Sequence, residues 1–199
     1  MYLNRLNGSK ILCFCTSALN LPMWSYYGGG LNGVALGYDQ TEILQTVATK
    51  SWKYIFNVDY SHPQIPSLHE KIIAKIEIER QMEGLDTTTD EYQTAIEKDR
   101  RLALEINQIL FASKHQFFEH ENEVRILLTP EYKCEKGELT YPDKKQQHSA
   151  SALKEVIFGE KVDKSKINII RKILEGRDIK YFKAVRYSTN FEITFEPLD

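Results

Sequence analysis

Two consecutive runs of helical periodicity lie between segments with the period of β-strands, and this order limits the fold more than any other feature. Ser67 with Glu70, and again Thr88 with Glu91, have capping-box spacing, which predicts the start of a helix at each pair. Gly84 predicts the end of the first helix. Because the interval 84–90 is short, we expect two antiparallel neighbouring helices. The apolar residues at helical intervals are Ile72, Ile73 and Ile76 in the first helix, and Tyr92, Ala95, Ile96, Leu102, Ala103, Ile106, Ile109 and Leu110 in the second.

Strand-like segments flank this helical region on both sides. They are 10–16, 33–38 and 52–60 before it, and 123–128, 156–158, 180–186 and 191–195 after it, the last two forming a predicted hairpin. The glycines within 33–38 indicate a close approach of the backbone to a neighbour. A polar loop is predicted over 129–151. Asp163 is predicted to cap a third helix that Gly176 closes, with an inward face of Ile167, Ile170, Ile173 and Leu174.

These patterns predict a fold class. We expect an α+β fold with a mixed or antiparallel sheet, an inserted helical hairpin and one helix in the C-terminal half. We expect residues 1–199 to form a single domain, with the hairpin inserted at about 66–114.

Charge and apolar content argue against several classes of protein. A formal charge of −2 is too small to indicate a nucleic-acid or anionic-membrane binder by bulk electrostatics, although it does not exclude a local patch. No stretch approaches the roughly 18–20 apolar residues of a membrane-spanning helix. Cys13, Cys15 and Cys134 predict reduced thiols in a cytoplasmic protein, because three thiols cannot all pair. Their spacing matches no zinc motif, so we predict no metal site.

Two glutamates and an arginine recur at alternate positions in the segment 117–128, FFEHENEVRILL. If the strand extends back far enough, Glu121, Glu123 and Arg125 share one face. Two carboxylates about 7 Å apart with a guanidinium beside them could orient a sugar or a cation. The alternative is a solvated strand face on which Arg125 only neutralises its neighbours.

An aromatic cluster precedes the second strand. Trp24, Tyr26 and Tyr27 lie beside a run of three glycines, and such a cluster could stack on a base or a nicotinamide ring. The alternative is packing in the core and at its edge. The glycine run lacks the spacing of a phosphate-binding motif. His115 and His120 are interpreted as polar boundary residues.

Several separated segments together resemble a known family. The segments CFC (13–15), MWSYY (23–27) and GVALGYD (33–39) resemble the signature "cFs … MW-x-x-Y … G-v-x-l-g-f-d" of the bacterial domain-of-unknown-function family 2971. Residues 114–125 resemble its motif "K-x-x-x-W-x-x-E-x-E-w-R", with Phe118 and Val124 at two positions that are usually aromatic. Residues 153–159, LKEVIFG, resemble its "I-x-e-V-i-l-G" strand.

The resemblance implies a similarity to the ADP-ribosyltransferase plan, in which a glutamate on a late strand contacts the nicotinamide ribose of NAD. By that analogy Glu123 is the catalytic carboxylate and Glu121 positions the acceptor. Arg125, Trp24 and Tyr27 are the predicted substrate-binding residues, and NAD is the cofactor to test.

Family members usually begin with a "Y-K-[YF]-R" strand and carry a later "F-N-D-P" segment. This sequence has only YLNR at residues 2–5 in place of the first. We therefore expect a shortened member, a member completed by a partner chain or an oligomer, or one without activity.

Two functions follow as hypotheses. The first is a non-catalytic binding or regulatory module built on an ADP-ribosyltransferase-like core. The second is an ADP-ribosyltransferase or NAD glycohydrolase-type enzyme centred on Glu123, acting as a toxin or a phage-defence effector. The intact Glu-x-Glu-x-Arg pattern favours the second, and the departure at the N-terminus favours the first.

Overall fold

The computed structural model describes residues 8–46, 52–61, 65–129, 131–133, 138–140, 149–187 and 192–198. Within them the helices are α1 (Leu21–Tyr26), α2 (Gln40–Thr46), α3 (Ile65–Met82), α4 (Asp90–Phe111) and α5 (Lys164–Ile173). The strands are β1 (Lys10–Cys15), β2 (Val34–Tyr38), β3 (Trp52–Asn57), β4 (Glu123–Thr129), β5 (Glu131–Lys133), β6 (Glu138–Thr140), β7 (Leu153–Gly159), β8 (Lys180–Arg186) and β9 (Ile193–Pro197). Short 3-10 helices lie at Gln116–Glu121 and Ala150–Ala152.

The chain divides into two compact units. The first comprises Met1–Lys10, Cys15–Tyr54 and Leu128–Asp199, and the second comprises Ile11–Phe14 and Ile55–Leu127. The α+β class is confirmed. The organisation as a single domain with an inserted hairpin stays a prediction.

The first unit contains a four-stranded sheet in the order β2-β7-β8-β9. β2 pairs antiparallel with β7, with Val34 opposite Phe158, whereas β7 pairs parallel with β8, with Glu155 opposite Lys180. β8 and β9 are antiparallel, which confirms the predicted C-terminal hairpin. The sheet is therefore mixed, and α5 lies in the connection between its parallel strands, as such a crossover requires.

β7 is buried on both faces of this sheet. Ile157 packs in one apolar cluster with Trp24, Leu31, Ala184 and Ile193. Val156 and Phe158 point the other way and pack against Ile167, Ile170 and Leu174 of the α5 segment. A strand buried on both sides accounts for the uninterrupted apolar run that the sequence carries there.

Two glycines of this sheet are required by close approach of the backbone. A Cβ on Gly37 would lie 2.9 Å from the Cβ of Glu155, its partner across the strands. A Cβ on Gly159 would lie 2.2 Å from the carbonyl oxygen of Leu31. The first contact confirms the close approach predicted for the glycines of 33–38.

The second unit contains the central part of a three-stranded sheet in the order β1-β4-β3, together with α3 and α4. The two helices form the predicted hairpin. Lys71 pairs with Glu105, and Lys75 pairs with Asp99. A later residue of α3 therefore pairs with an earlier residue of α4. This pairing confirms the antiparallel arrangement.

The apolar side of α3 is not its most buried side. Ile73 and Ile76 are each 43% exposed, whereas Lys75 is 4% exposed. The amphipathic pattern missed this because it assigns lysine to solvent. Lys75 is buried because its ammonium is paired with both Asp99 and Glu79, which compensates for the loss of water.

The predicted helix boundaries also need correction. α3 begins at Ile65, because Pro66 is compatible with the first turn of a helix, and the predicted cap Ser67 therefore lies inside it. The N-cap of α4 is Thr89 and not Thr88. The Thr89 hydroxyl accepts from the backbone N–H of Tyr92 and donates to the carbonyl oxygen of Asp86, whereas the Thr88 hydroxyl donates to the Asp86 carboxylate. In α5, Ile173 is 69% exposed and does not face inward as predicted.

Some elements were missed or differ in extent. α1 starts after Asn20, whose side chain accepts from Met23 N–H, with Pro22 in its first turn. α2 was not predicted. The third strand ends at Asn57, earlier than expected. β5 and β6 form a two-stranded sheet within the segment predicted as a loop. In the part of the chain that the structure describes, no helix has the length and apolar character needed to cross a bilayer.

Candidate functional site

Glu121 and Glu123 belong to different elements of the second unit. Glu121 is the last residue of the 3-10 helix Gln116–Glu121, and β4 begins at Glu123. Between them Asn122 is left-handed, with φ 44° and ψ 53°, and its N–H donates to Glu119. The prediction that one strand face carries Glu121, Glu123 and Arg125 is therefore wrong for Glu121, because a left-handed residue ends the extended backbone. Asparagine adopts this conformation more readily than most residues.

Glu123 and Arg125 do share one face of β4, as predicted. Arg125 Nε donates to Glu123 Oε1 and Arg125 Nη2 donates to Glu123 Oε2, each at 2.9 Å. This is a bidentate pair, the strongest geometry available to a guanidinium and a carboxylate. Arg125 Nη1 donates to the carbonyl oxygen of Phe111 at 2.5 Å, near the end of α4.

Lys114 joins the two glutamates. Its ammonium lies 2.5 Å from Glu121 Oε2 and 3.5 Å from Glu123 Oε2. The same ammonium lies 4.6 Å from the ring centre of Phe118. Lys114, Glu121, Glu123 and Arg125, called here the charged cluster, are thus two cations and two anions linked by successive ion pairs.

The two carboxylates are buried. Glu121 is 3% exposed and Glu123 is 8% exposed. The alternative of a solvated strand face is therefore wrong. The part of it that concerned Arg125 is right, because Arg125 does neutralise Glu123. Burial of a charge is tolerated when it is paired and hydrogen-bonded, and both conditions hold for Glu123.

Backbone contacts fix the start of β4. The Glu123 N–H donates to the Tyr60 hydroxyl at 2.9 Å, and the Glu123 carbonyl accepts from Val58 N–H at 2.9 Å. Asp59 links this segment to the chain after α4, because its N–H donates to Ala112 and its carbonyl accepts from Lys114 N–H. The charged cluster is thus held by residues on both sides of the helical hairpin.

Burial and the neighbouring charges shift several pKa values in and around the charged cluster. Burial alone would raise the pKa of Glu123, but Arg125, Cys13 and Lys114 outweigh it and hold the pKa below its usual value. Desolvation of the Cys13 sulfur, with a hydrogen bond to Glu123 and its negative charge, raises the pKa of this thiol to about 11, although the residue as a whole is exposed. The hydrogen bond to Glu123 raises the pKa of Arg125. Burial raises the pKa of Tyr60. At neutral pH, Glu123 is therefore ionised and Cys13 is a neutral thiol.

The 3-10 helix presents exposed aromatic residues. Phe117 is 69% exposed and Phe118 is 36% exposed, and their rings meet edge to face with centres 5.4 Å apart. His115 Nδ1 accepts from Phe117 N–H at 3.2 Å, so this histidine caps the helix. His120 contacts the Phe117 ring and its carbonyl oxygen. We call Gln116–Glu121 the aromatic turn.

Trp24 and Tyr27 lie in the first unit and differ in burial. Trp24 is 4% exposed, and its Nε1 donates to the carbonyl oxygen of Ala18 at 2.7 Å. The alternative of core packing therefore describes Trp24. Tyr27 is 70% exposed. Their substrate-binding role, and the catalytic role of Glu123 and Glu121, stay predictions.

Sequence reasoning missed three contacts of the charged cluster. Lys114 occupies the first position of the motif quoted above, which was the available signal for it. Tyr60 and Cys13 approach Glu123 from other parts of the chain, and no local pattern indicated them. Among the described residues, no group of three or more histidine, cysteine or acidic residues could hold a metal ion.

A comparison with protein-family models matches residues 23–126, slightly more than half of the chain, to DUF2971, described as a protein of unknown function. The chain belongs to this family. The DUF2971 match includes the whole of the charged cluster and ends one residue after Arg125. Searches of curated proteins and of solved structures gave no match.

Proposed function

We propose that this DUF2971 chain is a non-catalytic binding module, built on the ADP-ribosyltransferase-like core that the family resemblance implies. The observation that supports this best is the state of Glu123, because both of its carboxylate oxygens accept from Arg125. A glutamate that acts on a ribose or removes a proton needs an oxygen directed at the ligand. In this structure the carboxylate oxygens of Glu123 are already engaged by Arg125, Lys114 and Cys13.

The charged cluster then acts as a support. Lys114 holds Glu121 at the end of the aromatic turn, and Glu123 holds Arg125 against the end of α4. Its charges balance, so it presents no excess charge to a ligand. The charged cluster fixes the backbone of the segment that contains the binding residues.

The aromatic turn is the proposed contact surface, and its partner is a protein. Phe117 exposes most of its side chain while its backbone is fixed by the His115 cap and by the left-handed Asn122. A rigid exposed aromatic residue loses little conformational entropy on binding, which is why such residues dominate binding energy at protein interfaces.

The NAD-using enzyme remains the second candidate because of one observation. Two buried carboxylates converge on the same ammonium, at 2.5 and 3.5 Å. Such a pair could serve NAD chemistry if a ligand displaced Arg125 from Glu123. Active-site contacts often rearrange on ligand binding, so a measurement with NAD present separates the two candidates.

The experiment is incubation of the full chain with NAD, measuring nicotinamide release by chromatography and NAD binding by calorimetry. Glu123→Gln is compared with Glu119→Gln, a matched change at an exposed position of the same turn. The binding-module proposal expects no release and no NAD binding by wild type, and a loss of stability in Glu123→Gln only. Nicotinamide release that Glu123→Gln abolishes and Glu119→Gln preserves would establish the enzyme instead.

A further inference from the structure

The helix α5 carries a concentration of positive charge that the net charge of the chain conceals. Its ten residues include Lys164, Lys166, Arg171 and Lys172 and no acidic residue, whereas the whole chain has a formal charge of −2. Arg171 is engaged, because its guanidinium lies 5.0 Å from the Tyr181 ring centre. The three lysines are exposed. This is the kind of local patch that bulk charge does not reveal.

Two exposed isoleucines accompany these lysines. Ile169 is 59% exposed and Ile173 is 69% exposed, and they lie one turn apart. Ile167 and Ile170, on the opposite side, pack against the apolar cluster of β7. Helical spacing places Lys166 in line with the exposed isoleucines and Lys172 beside them. We call Lys166, Ile169, Lys172 and Ile173 the outer face of α5.

The lysines differ in their effect on the helix, because Lys172, in the last turn, is stabilised by the partial negative charge of the helix C-terminus. Lys164 and Lys166 lie in the first turn, where the partial positive charge of the helix N-terminus repels cations. Asp163, at the N-cap, makes no side-chain capping bond and lies 3.6 Å from Lys166. Local folding therefore does not account for Lys166 in the first turn or for the two exposed isoleucines of the outer face.

We propose that the outer face of α5 binds an anionic lipid surface. The lysines attract acidic headgroups, each contributing roughly fivefold to partitioning near the surface. The isoleucines add apolar burial at the boundary of headgroups and acyl chains. Nucleic acid would use the same lysines, but burying two β-branched apolar side chains gains little beside phosphates. The apolar inner face keeps the helix on its own sheet, so the contact is peripheral and reversible. It is independent of the aromatic turn.

The test is sedimentation of the full chain with vesicles of phosphatidylcholine alone or of phosphatidylcholine with phosphatidylserine. We expect binding only to the vesicles with phosphatidylserine, with a loss of binding at high salt. The variant with Lys166→Gln and Lys172→Gln should lose roughly 25-fold in partitioning. The variant with Ile169→Ser and Ile173→Ser should lose at least as much, because both apolar contacts are removed.

A charge-matched control carries Lys98→Gln and Arg100→Gln, at exposed positions of α4, and should bind as wild type does. Circular dichroism confirms that each variant is folded. Absence of binding to the acidic vesicles, or equal binding by wild type and the lysine variant, overturns the proposal. A second arm measures binding to a labelled DNA duplex by anisotropy. Tighter binding to the duplex than to vesicles, lost in the lysine variant and kept in the isoleucine variant, assigns the face to nucleic acid and also overturns it.

Discussion

Replacing Arg125 by methionine removes the guanidinium of the charged cluster while keeping an unbranched apolar stem. Three hydrogen bonds are lost, two to Glu123 at 2.9 Å and one to the Phe111 carbonyl at 2.5 Å. Glu123, whose side chain is 9% exposed, keeps only Lys114 at 3.5 Å as a cationic partner. Breaking a buried ion pair from one side typically costs about 3–5 kcal/mol. The remaining lysine and the 16% exposure of Arg125 place the expected cost at about 3 kcal/mol.

The measurement is urea unfolding followed by two probes. Far-UV circular dichroism is dominated by helices, and the two longest, α3 and α4, belong to the second unit. In a Trp52→Phe background, tryptophan fluorescence reports the first unit, because Trp24 belongs to it. The transition seen by circular dichroism should move to lower urea in Arg125→Met. If the units unfold separately, the fluorescence transition should stay in place.

The control is the same substitution at an exposed pair. Arg101 lies 3.2 Å from Glu105 on α4, and its side chain is 83% exposed. Arg101→Met should therefore cost no more than about 0.5 kcal/mol. The double variant of Glu123→Met and Arg125→Met should recover part of the loss, because no carboxylate is then left with its partner removed. If Arg125→Met costs no more than Arg101→Met, the charged cluster is not the support that we propose.

Three further predictions concern single groups. Because its pKa is raised to about 11 from 9.0, Cys13 should react with iodoacetamide at pH 8 about 100-fold more slowly than an unperturbed thiol. The reaction should be faster in Glu123→Gln, and peptide mass spectrometry measures both rates. An ordinary rate in the wild type would contradict the contact between Cys13 and Glu123. Because folding lowers the pKa of Glu123, its ionised carboxylate stabilises the folded state fully above the unfolded pKa of about 4.3. This stabilisation is lost as pH falls through the folded pKa. The urea midpoint should therefore fall less steeply with decreasing pH in Glu123→Gln than in the wild type. Gly159→Ala should cost about 3 kcal/mol in urea unfolding followed by fluorescence, because its Cβ would lie 2.2 Å from a carbonyl oxygen, whereas Gly84→Ala, with nothing nearer than 3.9 Å, should be close to neutral.

Much of the fold followed from the sequence because local periodicity reflects backbone geometry. The strand period located β4, the apolar run 156–158 located β7, and the helical period located the two helices of the hairpin. The short interval between these helices predicted their antiparallel order. The errors at helix starts have local causes as well. Thr88 and Thr89 both offer a capping hydroxyl, and both hydroxyls donate to Asp86, so the cap is set by which of the two is the last extended residue before the helix.

The burial of polar residues was less accessible to sequence reasoning. The burial of Lys75 had no signal in the sequence, because its pairing with Asp99 depends on how two helices meet. Ile173 was read as inward because the helical period places it near the apolar stripe, yet its side chain is 69% exposed. An amphipathic pattern identifies the residue types on a face, but the neighbouring elements decide how wide the covered stripe is.

The charged cluster divides in the same way. By itself the sequence determined that Glu123 and Arg125 share a strand face, because side chains alternate along any strand. Only the tertiary structure decided that both glutamates are buried, that Lys114 joins them, and that Tyr60 and Cys13 contact Glu123. Tyr60 lies 63 residues from Glu123 in sequence. Alternation is a property of one backbone, whereas burial and choice of partner depend on segments that meet only after folding.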